Sequence, residues 1–107
     1  MLTRSRLKEK VKPFARRMAA IGQEYRLAVI YLLSFDPMEV RDIVENIGIP
    51  ENLLAHHLKT LLDTGWVAKT KVGKHVTYRI NEKAFFELPR LLEDTPFHRQ
   101  VLAKRIR

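Results

Sequence analysis

A chain of 107 residues, 46% of them hydrophobic, has material for one domain with a modest core and none for a deep cleft between lobes, which argues against a large enzyme. It contains no cysteine, so disulfides, thiolate metal sites and redox sensing through its own thiols are excluded. Its formal net charge of +8 points to an anionic partner. That charge is unevenly placed: residues 1–17 hold seven basic residues and one acidic, residues 95–107 hold four basic and none acidic, and residues 24–63 hold three basic against seven acidic. A polyanion is therefore expected to meet the ends of the chain and any basic segment beyond residue 63, with the acidic middle turned away. No apolar run approaches the roughly 20 residues needed to span a bilayer. The N-terminus lacks the apolar core of a signal peptide. No segment pairs a lysine face with a broad exposed aromatic face, so no membrane partner is expected and the protein is placed in the cytoplasm.

From Leu7 the apolar residues Val11, Phe14, Met18, Ile21 and Tyr25 recur at alternating spacings of four and three, a heptad seam that asks for a helical partner. Pro13 and Gly22 interrupt it: the helix either starts near Pro13 with a basic arm before it or kinks there. Residues 24–35, with Leu27, Ala28, Ile30, Tyr31 and Leu32, are apolar enough to form a buried central helix, ending before the turn signal Asp36-Pro37. Met38 to Ile47 places Val40, Ile43, Val44 and Ile47 at helical spacing and stops at Gly48, giving a short helix. The link Gly48-Ile49-Pro50 is brief, so the following helix must cross the previous one steeply, as in a helix-turn-helix.

That following helix is framed by Pro50 in its first turn and Gly65 at its left-handed stop, with Leu54, Leu58, Leu61 and Leu62 on the buried face. Val67 to Ile80 then alternates in character around Gly73 and carries Lys69, Lys71, Lys74 and Arg79 with no acidic residue, which predicts a basic hairpin. Beyond it Asn81 is placed to cap a helix bearing Phe85, Phe86, Leu88, Leu91 and Leu92, kinked or restarted at Pro89. Thr95-Pro96 offers another cap and first turn for a basic helix with Phe97, Val101, Leu102 and Ile106. Spare apolar surface on the terminal helices suggests a two-fold dimer, with Leu7, Val11, Phe14, Met18, Phe85, Leu88, Leu91 and Leu92 at its interface.

The order of these parts, a short helix, a crossing helix and a basic hairpin, predicts a mainly α chain with a small β-hairpin, a winged helix-turn-helix. The expected organisation is one domain over residues 1–107: an N-terminal basic arm or dimerisation helix (1–22), a winged helix-turn-helix core (24–80) and C-terminal dimerisation helices (81–107). The stretch from about Arg26 to Leu92 resembles the ArsR-type winged-helix repressors, a prokaryotic family. The resemblance rests on RLAVIYLL, then VRDIVENIGIPENLLAHHLKTLLDTGWV, then the wing ending VTYRI. It implies a homodimer built from terminal helices that binds an inverted repeat in double-stranded DNA as a transcriptional repressor, with helix 50–64 in the major groove and wing 67–80 on the backbone and minor groove. The groove-facing positions it implies are Asn52, Leu53, Ala55, His56, Lys59 and Thr60, with Leu54, Leu58 and Leu61 facing the core. Asn52 suits an adenine edge, Lys59 phosphate or guanine, and Leu53 or Ala55 only a thymine methyl. Lys69, Lys71, Lys74, His75 and Arg79 are the corresponding wing residues, expected to contact phosphate or the minor groove.

Many relatives sense metals through paired cysteines or a carboxylate and histidine set, and neither is complete here. His56 and His57 are adjacent, so they point to different faces of a helix. Glu93, Asp94 and His98 are near one another in sequence, but Thr95-Pro96 breaks the helix between them, and they are read as solvated residues at a junction. No metal or other cofactor is expected, and the sequence does not name an effector. No nucleophile has a base and carboxylate partner and no glycine loop cradles phosphate, so the chain is not read as an enzyme. Two alternatives remain open: a winged-helix module that binds protein, and a nonspecific DNA-binding protein.

Overall fold

The computed structural model describes residues 2–102 and 104, leaving aside the side chains at 88 and 89. The elements run α1 (Arg4–Ile21), α2 (Glu24–Leu33), β1 (Met38–Glu39), α3 (Val40–Ile47), α4 (Glu51–Asp63), β2 (Val67–Val72), β3 (His75–Ile80), a 3-10 turn (Glu82–Phe86), α5 (Glu87–Leu91) and a π-helical turn (His98–Leu102). The three strands form one antiparallel sheet in the order β1-β3-β2. The architecture is therefore mainly helical with a small sheet, as the patterning predicted.

The core is built from the faces expected of α3 and α4. Ile43, Leu54, Leu58 and Leu61 are buried together with Val29, Ile30 and Leu33 of α2, and Val40, Val44, Ile47 and Leu62 pack around them half-buried. Gly48 (φ 77°) and Gly65 (φ 82°) close α3 and α4 in the left-handed region that favours glycine. Pro50 sits one residue earlier than anticipated, as the N-cap of α4, where its carbonyl accepts from the N–H groups of Leu53 and Leu54.

Trp66 locks the core to the N-terminal helix. Its ring is buried, its Nε1–H donates to the carbonyl of Arg17 at 2.7 Å, and Phe85 meets it edge-on at 5.1 Å. The sequence reading placed no weight on it, although a lone Trp directly after a helix-stopping glycine is a natural anchor. Ile49, in the link between α3 and α4, is likewise buried and unforeseen.

Four expectations need correction. Met38 and Glu39 do not begin α3; they form β1, with Met38 opposite Tyr78 and Glu39 opposite Thr77. A third strand wins there because β3 would otherwise leave its backbone unpaired on the side away from β2. Second, α1 neither starts at Pro13 nor leaves a basic arm before it. Thr3 caps it, its side-chain oxygen accepting from the N–H of Arg6, and the helix runs from Arg4 through Pro13. Pro13 lies on an exposed stretch, where water can take the Glu9 carbonyl that loses its partner.

Third, α2 is not buried all round: Leu27, Tyr31 and Phe35, four residues apart, form an exposed apolar stripe opposite Val29, Ile30 and Leu33. Fourth, Asn81 does not cap a helix; its side-chain Nδ2 donates to the Gly65 carbonyl at 2.9 Å, and the chain enters a 3-10 turn. The α-helix restarts at Glu87, which leaves Pro89 in the first turn of α5, where a missing N–H costs nothing. Thr95 does cap the next turn, accepting from the N–H of His98 through its hydroxyl.

Candidate nucleic-acid interface

Helix α4 divides its residues cleanly. Leu54, His57, Leu58 and Leu61 face inward, while Asn52, Leu53, Ala55, His56 and Lys59 are exposed and Thr60 is half-buried. Two of these donors, Lys59 and Thr60, are already engaged. Lys59 Nζ lies 3.1 Å from Asp63, an exposed i,i+4 pair that opens at little cost when a phosphate competes. The Thr60 hydroxyl donates to the His56 carbonyl at 3.3 Å, so its side chain points back along the helix.

His56 and His57 do take different faces. His57 is buried against the ring of Tyr25, centroids 5.8 Å apart, and its Nδ1 has no hydrogen-bond partner. Burial lowers its pKa from the ordinary value of 6.5, and the neighbouring charges of Arg26 and His56 push in the same direction. The imidazole is held neutral beneath the exposed face of the helix.

In the wing, Lys69, Lys71, Lys74, His75 and Arg79 are all exposed, and among the described residues none of the four Lys and Arg side chains forms an ion pair. The register separates them into two groups. Residues directly opposite on paired strands share a face, so Lys69 and Lys71 lie on the face of Tyr78 and Val76. Arg79 and His75, opposite Ala68 and Val72, lie on the other. Lys69 and Tyr78 line an open groove of about 440 Å³ together with Glu51, Ala55 and Lys59 of α4, so this face of the wing and the exposed face of α4 share one side of the molecule. Arg79 instead lines a groove with Leu33, Pro37 and Lys83 on the far side. Lys74 is in the turn beside Gly73 (φ 62°), at the tip.

The residues expected at a dimer interface differ in exposure. Leu7 (52% exposed) and Val11 (39%) stand on the free half of α1, whereas Phe14 and Met18 are half-buried, Met18 against the core. Phe85 is exposed on one side and stacked on Trp66 on the other, and Leu91 and Leu92 are half-buried. The Leu88 side chain and Ile106 lie outside the described residues. An ion pair between Arg17 and Glu87 (3.2 Å) ties α1 to α5. Glu93 and Asp94 are exposed and His98 is half-buried; among the described residues no group of three histidines and carboxylates is arranged to hold a metal.

Residues 23–69, which span α2 through the start of the wing, match the family model for bacterial regulatory proteins of the arsR family. Over that stretch the chain is similar to the ArsR-type winged helix-turn-helix regulators. The chain is 25% identical over 88 residues to the HTH-type transcriptional regulator NmtR of Mycobacterium tuberculosis, a match covering 82% of this chain and 71% of that protein. Its fold is that of an ArsR-like transcriptional regulator from Rhodococcus sp. RHA1, with a TM-score of 0.70, 24% identity and 77% of each chain covered. It is also that of a homodimeric winged helix-turn-helix DNA-binding domain from Mycobacterium bovis, with a TM-score of 0.69, 24% identity and 86% and 88% of the two chains covered.

Proposed function

We propose that this regulator acts as a homodimer on an inverted repeat in double-stranded DNA, with helix 50–64 in successive major grooves and the wing on the flanking backbone, and that it represses transcription by occupying that site. The observation that carries the reading is the shared side of α4 and the wing: Ala55 and Lys59 of the helix and Lys69 of the wing line one groove. A duplex laid on that side meets base-reading positions Asn52, Leu53, Ala55 and His56 and phosphate-binding lysines together. The acidic residues Glu51 and Asp63 on the same side make contact geometry more demanding, which suits discrimination between sites better than indiscriminate adhesion. Exposed apolar residues on the terminal helices, Leu7, Val11 and Phe86 among them, support a second copy as the partner that pairs two half-sites.

Footprinting of the full chain on its preferred duplex tests the proposal. Two-fold symmetric protection with half-sites about one helical turn apart is expected; asymmetric protection by a single unit would contradict it.

One observation favours a second reading. Leu53 is exposed on α4 and Leu27, Tyr31 and Phe35 form an exposed stripe on α2, surfaces suited to a protein partner. Reversing charge at Lys69, Lys71 and Lys74 would leave such an interaction largely intact but abolish DNA binding.

A further inference from the structure

Among the described residues the wing makes one side-chain hydrogen bond, and it goes to the helix-turn-helix: His75 Nδ1 lies 2.7 Å from Glu39 Oε1. The register explains why the two meet. Glu39 is opposite Thr77, and His75 is two residues from Thr77 on the same face of β3, the diagonal neighbour across an antiparallel pair. That face is the one turned away from the groove shared by α4 and Lys69.

Strand β1 ends at Glu39, because α3 begins at Val40. Beyond Thr77 the hairpin is a two-stranded ribbon, which is weakly held on its own and free to twist. Glu39 is also the N-cap residue of α3, with extended backbone (φ −82°, ψ 160°), yet its side chain makes no capping bond. The short side chains of Ser, Thr, Asp or Asn ordinarily accept from the first turn at this position, and the longer Glu39 does not. Here it is spent on the wing instead.

We infer that Glu39 is a positioning residue for DNA binding, and that His75 acts as its partner in a brace behind the wing and not as a phosphate contact. The brace fixes the angle of the tip, and with it Lys71 and Lys74, relative to α4. This rests on the proposal that the wing and α4 meet DNA together. The sign of one substitution separates the brace from simple electrostatics. Removing a carboxylate close to a polyanion strengthens binding if charge alone matters, whereas removing a brace weakens it.

The test measures affinity and salt dependence of the full chain for a duplex recovered from a randomised pool. The proteins are wild type, Glu39→Ala, Glu39→Gln, His75→Ala and the double variant Glu39→Ala/His75→Ala, with thermal melts as a folding control. His75 is exposed and Glu39 half-buried, neither in the core, so the melts are expected to change little. Glu39→Ala and His75→Ala are each expected to weaken binding by about three- to tenfold, with the double variant no worse than either single and the salt slope unchanged. Glu39→Gln, which keeps an oxygen for the His75 N–H, is expected to recover most of the affinity. Backbone relaxation of the free chain should show added motion confined to Val72–His75 in Glu39→Ala.

Tighter or unchanged binding by Glu39→Ala, or a reduced salt slope in His75→Ala alone, would overturn the brace while leaving the DNA reading in place. A wild type that binds no duplex would overturn both.

Discussion

His57 shows how one side chain records the constraint on a helix with one buried and one exposed face. It is buried with Nδ1 unpartnered, beneath a helix whose other face is polar and exposed. Its lowered pKa means that the folded chain binds fewer protons than the unfolded chain at pH values just below 6.5. Stability is therefore fully present above about 6.5 and falls as pH drops toward the lowered folded value. Denaturant unfolding between pH 8 and 5 should show this decline, and His57→Phe, which cannot take up the proton, should flatten it; an unchanged slope in the variant would assign the pH dependence elsewhere. Trp66 makes the second residue-level prediction. Trp66→Phe keeps an aromatic ring against Phe85 but removes the N–H that donates to the Arg17 carbonyl, and should lower stability by about 0.5–1.5 kcal/mol. Exchange protection should be lost first in the second half of α1.

At the scale of elements, the wing is the part where the fold changes the functional reading. The sequence presented Lys69, Lys71, Lys74 and Arg79 as one basic hairpin, because composition carries no information about which strand residues are opposite. The register places Lys69 and Lys71 on the α4 side and Arg79 on the other. Charge reversal at Lys69 or Lys71 should therefore weaken DNA binding and lower the salt slope by about one, with a much smaller effect for Arg79→Glu. Equal losses at all three positions would show that both faces engage the duplex.

The helices α3 and α4 were legible because Ile43, Leu54, Leu58 and Leu61 repeat at helical spacing between residues with fixed backbone roles, Gly48, Pro50 and Gly65. β1 was not legible: two residues carry no period, and Met38 fits a helical pattern as well as a strand. The burial of α2 was overstated for a related reason, since Leu27 and Tyr31 are apolar whichever way they face. Asn81 misled because a side chain that suits a cap also suits a tertiary bond, here to the Gly65 carbonyl.

Across the whole molecule, the dimensions of 50 × 33 × 26 Å describe an elongated body. From Arg4 to Pro13 every residue of α1 is exposed, Leu7 and Val11 included. A helix end so lacking in partners among the described residues is what the proposed dimer accounts for. Leu7→Glu/Val11→Glu should shift the chain toward monomer in sedimentation and weaken operator binding, while leaving the core intact; a variant that stays dimeric would move the interface to other surfaces. In the proposed complex wing, α4 and dimer form one device, in which α4 would read a half-site, the wing would grip phosphate and the terminal helices would set the spacing between two copies.

Selection of bound duplexes from a randomised DNA pool by the full chain, at near-physiological salt, tests that device most directly. The account predicts enrichment of an inverted repeat whose half-sites lie about one helical turn apart. Retention of DNA without a consensus, or no retention, would contradict it.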